Sequence, residues 1–176
     1  MATYDSGSGS GPCRRRLALP VLAAALLAAA LLAAAWPARA EVPDGPLPAF
    51  SVEVTLSSRA AARLLAASEG IIVSASYYGE ATQAARRRAN TMGWINLAAR
   101  KVTLPGRGGM ARFPAVPVSP AQLDGIVDRT PQLLINVVSA RRTNRDNLLD
   151  CGIFQDPVAM AAEAPVRIAC KLIGES

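Results

Sequence analysis

The chain contains no histidine, and only 5% of its residues are aromatic. Without imidazole it lacks the base of the usual serine and cysteine hydrolases and the commonest ligand of zinc and copper. No aromatic side chain is interleaved with its basic runs, so the stacking platforms that hold single-stranded nucleic acid are missing. Residues 41–176 carry no G-x-S-x-G, no S-x-x-K and no P-loop pattern. The sequence therefore predicts a protein that is not an enzyme, with no cofactor and no metal site.

What is present begins with an export signal. Arg14, Arg15 and Arg16 precede an uncharged run from Leu17 to Trp36, which ends in Pro37 and the small-residue pattern Ala38-Arg39-Ala40. This order of n-region, apolar h-region and A-x-A site predicts a signal peptide over residues 1–40, cleaved after Ala40. The run is also about long enough to span a bilayer, so an N-terminal membrane anchor is the alternative. Cleavage places residues 41–176 in the periplasm or outside the cell. The +6 net charge falls to +3 once the four arginines and one aspartate of the first 40 residues are set aside. That excess is too small to draw nucleic acid, and contact with the membrane is expected only through the signal.

Cys13 leaves with the signal, so Cys151 and Cys170 remain as a pair in an oxidising compartment, where a disulfide is expected. In the chain-entropy account a loop of this size contributes roughly 3 kcal/mol.

Along residues 41–176, EVPDGPLPA at 41–49 reads as a Pro-rich linker or extended arm. FSVEVTL, Phe50 to Leu56, alternates as a half-buried strand. Ser57 or Ser58 caps one or two turns of helix, and IIVSASYY, Ile71 to Tyr78, is a second strand that sends Tyr77 and Tyr78 to opposite faces. Two short strands are expected around Trp94 to Leu97 and Lys101 to Leu104, with Trp94 in the core. ARFPAVPV, Ala111 to Val118, reads as an edge strand because its prolines cannot donate to a ladder. Ser119, Pro120 and Gln122 form a capping box for a short helix. QLLINVVSA, Gln132 to Ala140, is apolar enough for a central strand. LLDCGIF and PVRIACKLI supply the last two. The pattern predicts a single, mainly β domain over residues 50–176, an antiparallel β-sandwich of immunoglobulin-like or transthyretin-like kind with one or two short helices.

The polar candidates fall in two runs. Arg86, Arg87 and Arg88 are the densest basic stretch, and Arg141, Arg142 and Arg145 lie beside Asp146 and Asp150 in NVVSARRTNRDNLLDCGIF. The arginines are candidates for anion binding. Asp146 and Asp150, with Asp156 as a third candidate, are the best carboxylate pair for an acid and base, as in an enzyme acting on a glycan, although neighbouring arginines hold carboxylates ionised rather than splitting their pKa values. Its Asn, Asp and Thr residues read as a charged hairpin connection anchored by the disulfide.

INVVSARRTNRDNLLDCGIF, with VTLSSRAAARLL, VSASYYGE and IACKLI, resembles a group of small exported bacterial proteins of unknown function. That resemblance implies compartment and no catalytic residues. The expected function is thus a non-enzymatic exported domain binding a protein or another envelope component. The alternatives are the glycan-acting enzyme and an anion-binding envelope module through Arg86, Arg87 and Arg88.

Overall fold

The structure, a computed structural model, describes residues 45–176. The signal peptide, its cleavage after Ala40 and Cys13 lie outside the described residues. Eight strands form two four-stranded sheets: β1 Phe50–Leu56, β2 Ile71–Glu80, β3 Trp94–Leu104, β4 Gly109–Phe113, β5 Gln132–Ser139, β6 Leu149–Cys151, β7 Phe154–Pro157 and β8 Val166–Leu172. The first sheet has the order β4-β1-β8-β6 and the second β3-β2-β5-β7. Three short helices, α1 Ser58–Ala66, α2 Pro120–Leu123 and α3 Val158–Glu163, and two 3-10 turns complete the domain. The chain is a β-sandwich, as the alternation predicts. All pairs are antiparallel except β1 with β8, which run parallel and join the first strand to the last.

Alternation decides what is buried. Val52 and Val54 of β1 and Ile168 of β8 point inward from one sheet, and Val73, Ala75, Tyr77, Ile135 and Val137 meet them from the other. Phe50 ties the layers together, stacking on Phe113 within its own sheet at 4.9 Å and meeting Tyr77 edge-on at 6.2 Å across the core. In a chain with so few aromatics, this cluster holds three of the eight. The helix caps follow the sequence closely: Ser57 accepts from the Ala60 N–H, and Ser119 with Gln122 forms the reciprocal box.

Several expectations are corrected. Trp94 to Leu104 is one eleven-residue strand, not two. The register shift opposite Tyr77/Tyr78 leaves Leu97 as the extra residue, so odd-numbered Ile95 and Leu97 face the core up to the bulge and even-numbered Val102 and Leu104 face it beyond. The apolar period is thus broken by the bulge and not by a turn. Tyr77 and Tyr78 are both buried, because Trp94 covers Tyr78 at 4.2 Å on the outer face; Trp94 itself is half-exposed and not in the core. LLDCGIF divides at Gly152 and Ile153 into β6 and β7, which belong to different sheets. The polar run is therefore not a hairpin: it carries the chain from β5 in one sheet to β6 in the other. The arm at 45–49 is not free, since Leu47 is buried and pairs with Val116.

The Cys151–Cys170 disulfide is present and joins directly opposed residues of β6 and β8. β6 is only three residues long, and a covalent tie compensates for its few ladder hydrogen bonds.

Candidate functional site

The sandwich end where β2 begins and β3 and β5 finish is closed by α1. Leu64 is buried there, and the helix ends as Ser68 turns through a positive φ of 50°. That turn aims Glu69 inward, where it is 3% exposed, the one buried carboxylate among the described residues. It meets the crossover between β5 and β6. Arg141 adopts a positive φ of 56°, which bends the backbone so that successive N–H groups converge. The Arg142 N–H donates to both Glu69 oxygens at 3.1 and 2.9 Å, Thr143 donates through its N–H at 3.0 Å and its hydroxyl at 3.1 Å, and Asn144 N–H donates at 3.4 Å. Gly70 N–H adds a fifth donor at 3.0 Å.

Burial acts to raise the carboxyl pKa, but the N–H groups of Thr143, Arg142 and Gly70 and the Thr143 hydroxyl outweigh it and hold the pKa at about 2. A second polar knot continues along the crossover. Asn147 accepts from the Ser139 N–H at 2.9 Å and the Leu149 N–H at 3.1 Å, and its own amide donates to the Leu149 carbonyl at 2.7 Å. The crossover is accordingly rigid despite its polar composition.

Beside this clamp lies a groove of about 770 Å³ between α1, the β3–β4 turn and the crossover. Its floor is apolar, with Leu64 and Leu104 buried beneath it and Ala62 and Pro105 exposed at its surface, and Leu65 stands at its edge 79% exposed. Gly106 closes one wall tightly. A Cβ there would run into the Glu69 carbonyl and come within 3.1 Å of the Leu64 Cβ. Arg107 and Arg142 line the groove with exposed guanidiniums, and among the described residues neither has an ion-pair partner. The Arg142 guanidinium carbon lies over the strand start, 3.7 Å from where a Cβ on Gly70 would sit, which is ordinary van der Waals contact.

The candidate residues read from sequence are dispersed. Arg86, Arg87 and Arg88 lie exposed on the 3-10 turn Gln83–Arg88, after the end of β2. Arg141, Arg142 and Arg145 follow β5, whose Ser139 pairs with Ile71 at the start of β2. The two runs thus sit at opposite ends of a ten-residue strand, roughly 30 Å apart at ~3.3 Å per residue, and do not form one anion site. Asp146 and Asp150 are both exposed; Asp150 stands on β6 opposite Lys171, and Asp156 lies on β7 in the other sheet. No group of three or more potential ligand side chains is placed to hold a metal among the described residues.

Sequence reasoning missed both Glu69 and Arg107. Glu69 sits in an ordinary helix-to-strand turn, and four of its five donors lie more than seventy positions later, so no local pattern marks it. No family model, curated protein or solved structure matches the chain.

Proposed function

We propose that this chain is an exported, non-enzymatic β-sandwich that binds a protein or another component of the cell envelope, and that it does so in the groove beside α1. The observation that carries the reading is the groove itself: an apolar floor, a wall fixed by the Glu69 clamp, and two guanidiniums with nothing of the described chain to neutralise them. A preformed concavity with a few charged groups at its rim is the usual form of a binding site. The signal-like N-terminus and the cross-strand disulfide support an oxidising compartment, and the resemblance to small exported bacterial domains points the same way. The four residues Arg141, Arg145, Asp146 and Asp150 lie on or beside the same crossover and serve as its solvated outer surface.

A photo-crosslinking residue placed at Leu65 in the full chain tests the reading in living cells, with one at the exposed Met160 of α3 as control. A discrete adduct from position 65 and none from position 160 is the expected result. Equal labelling from both positions, or none from either, rejects the groove as the binding site.

A further inference from the structure

The charge and shape of this groove define its ligand more narrowly, an inference that rests on the binding function just proposed. We infer that the groove takes an acidic peptide segment, one that sets an apolar side chain against Leu65 and Pro105 while its carboxylates meet Arg107 and Arg142. Two guanidiniums in one groove, each without a partner among the described residues, leave it positive. The one carboxylate beside them, Glu69, is held by five donors and its charge is compensated where it stands. Arginine forks match carboxylates in geometry as well as in sign.

The apolar lining rules out a bare inorganic anion as the natural occupant, since such an ion gains nothing from Ala62, Pro105 and the exposed Leu65. Shape then separates a peptide from a lipid. The groove is open along its outer side, so a long acyl chain laid in it keeps much of its length in water. A peptide needs only one apolar face covered, because its other face and its backbone remain solvated. Two cations are also too few for a polyanion such as nucleic acid, whose affinity grows with each phosphate neutralised.

The test uses purified, oxidised protein and fluorescence anisotropy with a labelled octapeptide of alternating leucine and aspartate. Its counterpart carries asparagine for aspartate. The acidic peptide should bind and the asparagine peptide should bind about tenfold more weakly, the factor expected of two rim ion pairs. Arg107→Ala with Arg142→Ala should cause a similar loss, since both side chains are exposed and their removal leaves the Arg142 N–H in the clamp. Added salt should weaken binding. Arg86→Ala, Arg87→Ala and Arg88→Ala together should leave binding unchanged, because those residues lie at the other end of β2.

Equal affinity for the two peptides, no binding of either, or equal losses from the two arginine sets overturns the inference. Binding of dodecanoate or of phosphatidylglycerol vesicles in place of the peptide overturns it as well. The crosslink from Leu65 keeps the two levels apart. An adduct that is not a protein removes the acidic peptide alone, whereas absence of any adduct removes the binding function with it.

Discussion

Glu69 shows how much one side chain can organise. Five donors converge on it, four from the distant segment 142–144 and one from the adjacent Gly70, and a carboxylate so solvated stays ionised far below its ordinary range. Its folded pKa, about 2, lies below the ordinary 4.5, so the stability it contributes is complete above about 4.5 and is lost as pH falls toward 2. Glu69→Gln keeps the shape but turns an amide toward N–H donors, which leaves donors facing a donor. The expected cost at neutral pH is on the order of 3 kcal/mol by urea unfolding. Repeating the titration between pH 7 and pH 2.5 should show the gap between wild type and variant narrowing below about pH 4.5; a constant gap would mean that ionisation is not what the clamp recognises. Tyr77 is the opposite case. Its hydroxyl is buried with no hydrogen-bond partner among the described residues, and burial raises its pKa, with Arg100 acting against it. Tyr77→Phe removes an unsatisfied polar atom without changing the packing on Phe50, and should raise stability by about 1 kcal/mol. A loss of that size would show that the hydroxyl is engaged.

At the scale of elements, the crossover between β5 and β6 is an anion-binding nest already occupied by the chain's own carboxylate. Glu69→Ala empties it, and the N–H groups of Arg142, Thr143 and Asn144 then lack an acceptor. Added acetate should restore part of the lost melting temperature, and chloride at equal ionic strength should restore less, because a planar carboxylate satisfies several converging N–H groups at once. Equal effects of the two salts would reduce the nest to general screening. The neighbouring disulfide acts on β6. With a sequence separation of 19 between the cysteines, its loss in Cys151→Ser with Cys170→Ser should cost about 3 kcal/mol, and hydrogen exchange should quicken first in β6. These elements also mark how far the sequence could be read. Strands whose apolar residues alternate without interruption, such as β1, β5 and β8, were legible, as were both capped helices. Where the period breaks, legibility ends: the bulge opposite Tyr77 divides one strand into two apparent ones, and Gly152 lets one apparent strand serve two sheets. The clamp was illegible for another reason, since its members are local in neither sequence nor type.

The sandwich is closed by its first and last strands. β8 lies in the interior of its sheet, parallel to β1 on one side and antiparallel to β6 on the other. Parallel pairing of the first and last strands requires nearly the entire domain as its connection, so sheet one cannot form until the C-terminal segment is available. Val166, Ile168 and Cys170 of β8 are all buried. At roughly 1.5–3 kcal/mol for a large apolar side chain, their burial amounts to about 5 kcal/mol, comparable to the whole net stability of a domain this size. A chain ending at Ala164 should therefore show no cooperative unfolding and the narrow amide dispersion of an unfolded protein. A chain ending at Ile173 loses only the tail, in which Glu175 accepts from the Ser57 hydroxyl and the Leu172 N–H at 2.8 Å each. It should unfold cooperatively with a modestly lower midpoint. Cooperative unfolding of the shorter chain would show that sheet one stands without its last strand, and that the terminal pairing is an addition to the fold and not its closure.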